Sequence, residues 1–418
     1  MSDRHPVRLV VRDDLLRSRL TVFFRLLLVI PHFLWAALFA VVVVVVAIVN
    51  WFATLIRGRS PRDLHRFLAG YVRYVTHVEA YLFLVANPYP GFFLGSAPGP
   101  YPIDLEIDDA QPQNRWKTAF RLPLLIPAAL VSSSLSGFGG GGGRGSGYSA
   151  NTGLLGATSV LTWFSALARG SAPRGLRDLG AWGLGYSAQT AAYALLLTDR
   201  YPYTGPEGHL TDPAPELEGR ARLVVTDDLR RSRLTVLFRL PLSFPHIVWF
   251  LLWTLVAFFA AVANWLATLV TGHSPRVLSR FLAAYVRYGT HVGAFLHLIG
   301  NPFPGFVGAA GSYPVEPELV LAERQNRWVT AFRLVLAIPA LLVSGSLWGV
   351  LGACAFLGWF VSLVRASMPE GLRNAGAHAL RYNAQLLTYV LVLTDRYPFG
   401  SPVTAEAPAA PMPIGNSI

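Results

Sequence analysis

FRLLLVIPHFLWAALFAVVVVVVAIVNWFATLIRGRSP, Phe24 to Pro61, is the stretch that decides how this chain is built. Between Phe33 and Ile56 it carries no charge, and Asn50 and Thr54 interrupt an otherwise apolar run that includes six consecutive valines, Val41 to Val46. About 20 such residues cross the hydrocarbon core of a bilayer as a helix, so Pro31 to Ile56 is long enough to span. The composition agrees. A mean hydropathy of +0.43, with 53% hydrophobic and 14% charged residues among 418, points to an integral membrane bundle.

The net charge of +12 is carried almost entirely by arginine, Lys117 being the only lysine. The accompanying Ala, Gly and Pro bias suggests a GC-rich bacterial genome, and so a multi-pass protein of a bacterial plasma membrane. Cys354 stands alone in an apolar segment, which excludes an internal disulfide or a thiolate metal cluster. The charged amino terminus precedes an apolar run too long for a signal peptide and reads as retained.

Outward from the opening stretch, the chain repeats. Arg25 and Arg239, Pro31 and Pro245, Trp51 and Trp265, Tyr74 and Tyr288, His77 and His291 all stand 214 residues apart. Each half holds a second, diverged copy, QNRWKTAFRLPLLIP from Gln113 and QNRWVTAFRLVLAIP from Gln325. The organisation read from this is a first half over 1–204 (repeats 6–92 and 101–204), a linker over 205–220, a second half over 221–399 (repeats 221–306 and 313–399) and a Pro- and Ala-rich tail over 400–418. Repeat two carries 16 extra residues, assigned to the Gly-rich tract Ser132 to Gly147, which cannot form a stable helix interior.

Each repeat reads as a short strand, a basic lead-in ended or kinked by a proline, a long apolar helix, and a second helix. The strands are placed at PVRLVVRD from Pro6, IDLEID from Ile103, ARLVVTD from Ala221 and ELVLAE from Glu318. Ser60 is the expected cap of the second helix, with Pro61 as its first residue. The fold class that follows is an all-α membrane bundle of about eight transmembrane helices in four quasi-repeated hairpins. All four would share one orientation, with the strands forming a small extramembrane sheet; re-entrant hairpins would lower the count. Arg17, Arg19 and Arg25 at one end compete with Arg57, Arg59 and Arg62 at the other, so the positive-inside rule sets no orientation.

Candidate functional residues lie on the second helix. At 100° per residue Arg66, Arg73 and His77 share a line, and Arg280, Arg287 and His291 repeat it. Three readings remain open: residues satisfied within the bundle, a basic groove for anionic lipid headgroups or small anions, and a proton or metal role. Arg25 with its equivalents, and Trp51 with Trp163, Trp265 and Trp359, read as anchors at opposite interfaces. No nucleophile, Walker or metal-protease motif is present, so no catalytic, cofactor or metal residues are assigned and an enzyme is not expected. Basic residues interleaved with apolar helices also speak against nucleic acid as a partner.

FRLLLVIPH, WFATLIRGRSPRDLHRF, YVRYVTHVEAYLFL and the closing NPYPGF resemble the bacterial membrane domain of unknown function numbered 4389, present as tandem copies. The resemblance implies an integral membrane protein and brings no ligand or activity. The expected function is a non-enzymatic scaffold or accessory subunit, with a small-anion transporter or channel, or an anionic-lipid binder, as alternatives. Expected partners are the bilayer, anionic lipids and other membrane proteins.

Overall fold

The structure is a computed structural model that describes residues 5–92, 101–136, 153–206, 218–322 and 324–402. The chain divides into two compact bodies. One comprises Met1–Asp212, Leu341–Leu357 and Gly400–Pro402, and the other Pro213–Ala340, Gly358–Phe399 and Val403–Ile418. The tail from residue 403, most of the linker and residues 137–152 lie outside the described residues.

In the first half, β1 (Val7–Val11) precedes the short helices α1 (Arg19–Phe23) and α2 (Arg25–Leu28), the long α3 (Ile30–Arg57) and α4 (Arg62–Leu82). Repeat two follows as β2 (Ile103–Ile107), α5 (Arg115–Ala119), α6 (Arg121–Ser136), α7 (Leu154–Arg169) and α8 (Arg174–Ala194). The second half is β3 (Arg222–Val225), α9 (Arg233–Leu237), α10 (Arg239–Thr271), α11 (Arg276–Leu296), β4 (Val315–Glu318), α12 (Arg327–Ala331), α13 (Arg333–Arg365) and α14 (Glu370–Val390).

Three of these helical stretches, Arg25–Arg57, Arg239–Thr271 and Arg333–Arg365, are long and apolar enough to cross a membrane. The count of eight does not follow from length and composition, because the second helices are inward elements. The 21 residues of α4 bury His65, Arg73, Thr76 and His77 along with their apolar neighbours. Helices so enclosed need no lipid-compatible surface. The long helices α3 and α10 are the inverse: of the six buried residues of α10, Arg239, Ser243, His246, Asn264 and Thr268 are polar and only Ala257 is not. Their exposed faces are valine, leucine, isoleucine and phenylalanine, including Val41, Val42, Val44 and Val45 on α3 and Leu251, Leu252, Leu255 and Phe258 on α10. Soluble monomers do not expose contiguous apolar faces of this extent.

Local chemistry sets the element ends. The long helices stop at a left-handed residue, Gly58 (φ 70°), Gly170 (72°), Gly272 (76°) or Ala366 (57°), whose N–H closes on the carbonyl four residues back. Ser60 does not cap α4; its hydroxyl donates to Asn50 Oδ1 at 2.7 Å, and Pro61 takes the cap position. The lead-in ends ahead of its proline in repeat one, where Val29 separates α2 from α3 and Pro31 lies in the first turn of α3, but not in the other three repeats. Pro127, Pro245 and Pro339 lie inside continuous helices, and the break falls at Phe120, Phe238 and Phe332, just before each arginine. Ser132 to Ser136 are helical, so the part of the expected insertion that is described completes α6, and the rest lies outside the described residues.

Within each half the two hairpins are antiparallel, and this overturns the expectation of one shared orientation. Each hairpin starts and ends together, since Arg25 at the head of α2 bonds to carbonyls at the end of α4. The turn of repeat one, at Gly58, accepts from the N–H of Gln113 at the start of repeat two, whereas the turn of repeat two, at Gly170, accepts from Arg17 at the start of repeat one. A 21-residue helix is about 30 Å long, so the two turns lie at opposite ends of the half. Gly272 with Gln325, and Ala366 with Arg231, repeat the arrangement.

The expected single sheet is two separate antiparallel pairs, β1 with β2 and β3 with β4, each joining two repeats of one half. They run beside the middles of the second helices rather than beyond the helix ends. The fourth strand is Val315–Glu318, ahead of the alternating ELVLAE segment, because pairing Val225 with Val315 and Arg222 with Glu318 sets the register. Trp51, Trp265 and Trp359 are joints between repeats. Their indole N–H groups donate to Thr118 O (2.9 Å), Thr330 O (2.8 Å) and Val236 O (3.0 Å) on the partner repeat's lead-in.

Candidate functional site

Four arginines repeat one device. Arg25, Arg121, Arg239 and Arg333 are each about 2% exposed or less and lie over an aromatic ring at the end of their own second helix, with 4.2 Å from Arg25 to Tyr81 and 4.0 Å from Arg121 to Tyr193. Their guanidinium groups donate to the last carbonyls there: Arg25 to Tyr81 O and Ala86 O, Arg239 to Phe295 O and Gly300 O, Arg333 to Tyr389 O and Thr394 O, Arg121 to Thr198 O. A cation at a helix carboxyl terminus answers its unpaired carbonyls and dipole. The backbone there is strained, with Leu84, Leu196, Leu298 and the β-branched Val392 all at φ 61–64°. These arginines are therefore internal caps and not interfacial anchors.

The stripe read on the second helix divides. Arg66 and Arg280, near the turns, are exposed. Arg73 and His77, in the middle of α4, meet Asp104 of β2: Arg73 Nε reaches Oδ1 at 2.6 Å and Nη2 reaches Oδ2 at 2.8 Å, while His77 Nε2 lies 2.9 Å from Oδ1. Side-chain exposure is 3% for Arg73 and 8% for Asp104. The second half repeats the cluster with a longer acid, Arg287 Nε at 2.8 Å and His291 Nε2 at 2.9 Å from Glu316, at 17% exposure for both Arg287 and Glu316. Tyr101 stacks on His77 at 4.3 Å and donates to Pro88 O, and Tyr313 lies 5.0 Å from His291 and donates to Pro302 O. Burial pushes both phenols up, so they stay neutral donors.

In each cluster the carboxylate and the guanidinium carry opposite charges and balance one another, Arg73 with Asp104 and Arg287 with Glu316. In repeats two and four the histidine is replaced by glutamine, and the chemistry becomes purely structural. Gln189 donates to Val7 O of β1 at 3.1 Å and accepts from Tyr203 N, and Gln385 does the same between Ala221 and Phe399. Arg381, where repeat two has Gly185, is buried and bonds His378 Nδ1 at 3.1 Å.

Asp104 and Glu316, with Tyr101 and Tyr313, went unrecognised in the sequence. The halves match at an offset of 214 along the helices, but the connectors differ by two residues, so the strand acids correspond at 212 and their equivalence is hidden. The signal was present in the strand register, since Asp104 faces Val10 and Glu316 faces Val224. Among the described residues no group of three His, Cys, Asp or Glu side chains is placed to hold a metal ion.

The architecture defines a class: helical hairpins in antiparallel pairs, apolar outside, ionic inside. The chain belongs to the family described as a domain of unknown function (DUF4389), whose model matches four times, at residues 19–94, 148–204, 233–307 and 327–401. Comparison with curated proteins and with solved structures finds no match.

Proposed function

We propose that this is a multi-pass membrane protein acting as a non-enzymatic scaffold or accessory subunit. The observation that carries this reading is where the buried ions go: the repeated arginines bind carbonyls and carboxylates of their own half. Such groups hold the hairpins in register and leave their outer apolar faces to lipid and to other membrane proteins. Each long helix crosses the bilayer and its second helix returns inside the bundle, giving eight crossings, with the strand pairs sheltered between second helices, as polar backbone at membrane depth requires.

One observation favours a second reading, a small-anion transporter. Antiparallel repeat pairs with ionisable groups halfway along the helices are the arrangement in which many transporters place a midplane site. Liposomes separate the two. The purified full chain is expected to give no anion flux above protein-free vesicles; flux that depends on the chain would overturn the scaffold reading.

A further inference from the structure

The ends of the long helices carry a repeated pattern that the internal ion clusters do not absorb. At each left-handed stop the lead-in of the partner repeat brings an arginine. Arg115 lies with Nε 3.7 Å, and Arg327 with Nε 3.4 Å, from the position a side chain would occupy on Gly58 and Gly272. Arg19 donates to Ala168 O at 3.1 Å and Arg233 to Val364 O at 2.9 Å, beside Gly170 and Ala366. At three of the four junctions the long helix adds its own terminal arginine, Arg57, Arg169 or Arg365. All seven are exposed, and none forms an ion pair among the described residues.

The residue following each lead-in arginine is apolar and projects outward: Leu20 and Leu234 are 70% exposed, Trp116 and Trp328 76%. Phe23, Phe120, Leu237 and Phe332 extend the same surface onto the apolar faces of the long helices. A basic group with three to five N–H donors, an adjoining indole or leucine, and an uninterrupted apolar wall is complementary to a phosphate diester joined to acyl chains. We propose that these junctions seat the headgroups of anionic phospholipids, one seat at each end of each half. The proposal rests on the long helices lying in lipid. Continuity with the apolar faces selects a lipid over free phosphate, and an arginine near such a surface contributes about 1 kcal/mol, or about fivefold in affinity.

The test uses the full chain in nanodiscs of equal phosphatidylglycerol and phosphatidylcholine, with retained lipid counted by native mass spectrometry. The double variant Arg115→Gln, Arg327→Gln removes side chains that bond no backbone carbonyl among the described residues, so its thermal unfolding should match the parent. The parent is expected to retain phosphatidylglycerol preferentially, and the variant to lose about fivefold of that preference at two seats. The control Arg222→Gln, an exposed arginine on β3 away from the junctions, is expected to change nothing. Equal retention of the two lipids by the parent, an unchanged variant, or an equal loss in the control would each overturn the seats while leaving membrane residence standing. Failure of the parent to enter nanodiscs would overturn both.

Discussion

Replacing Asp104 by Asn weighs the ion cluster directly, because the second half supplies its own comparison. Asp104 accepts two bonds from Arg73 and one from His77 at 8% side-chain exposure. Removing its charge leaves a guanidinium buried without compensation, a loss of about 3–5 kcal/mol. Glu316 makes the equivalent contacts at 17% exposure on both sides, where water shares the work, and Glu316→Gln should cost about 1–2 kcal/mol. In a thermal melt of detergent-solubilised protein the first shift is on the order of 10 °C and the second a few degrees. The double variant Arg73→Met, Asp104→Leu removes both charges together and should recover most of the loss. The reasoning is refuted if Asp104→Asn melts no lower than Glu316→Gln, or if the double variant is as damaged as the single one.

Arg239→Lys keeps the charge but cannot reach Phe295 O and Gly300 O together, so it should lower stability by about 2–3 kcal/mol in the same melt, and Arg239→Ala by more. Ala366→Gly should raise stability by about 1 kcal/mol, since alanine there holds φ 57° where the other three stops use glycine. Trp265→Phe should cost about 1 kcal/mol by losing the 2.8 Å bond to Thr330 O, with no change in the secondary structure seen by circular dichroism.

The long apolar helices, the four repeats and the turn inside the first hairpin were legible because each rests on local pattern: a run without charge, a fixed offset, a Ser-Pro pair after the apolar run. The antiparallel pairing was not, because Gly58 meets Gln113 through a backbone bond that leaves no mark on side-chain pattern. That pairing also explains why arginine counting set no orientation. Arg57 with Arg115 marks one end of the first half and Arg169 with Arg19 the other, so both ends are basic. Of the candidate face, periodicity located Arg73 and His77 correctly on one line of α4. It could not supply their acid, which arrives from a strand 27 residues beyond His77.

The most direct test of the crossing hairpins is accessibility in oriented membrane vesicles. In a Cys354→Ala background, single cysteines at Arg62 and Arg169 mark the two turns of the first half, and Arg276 and Arg365 those of the second. With a membrane-impermeant maleimide, Arg62→Cys and Arg169→Cys should label from opposite faces, as should Arg276→Cys and Arg365→Cys. Labelling of both members of a pair from the same face would contradict the account.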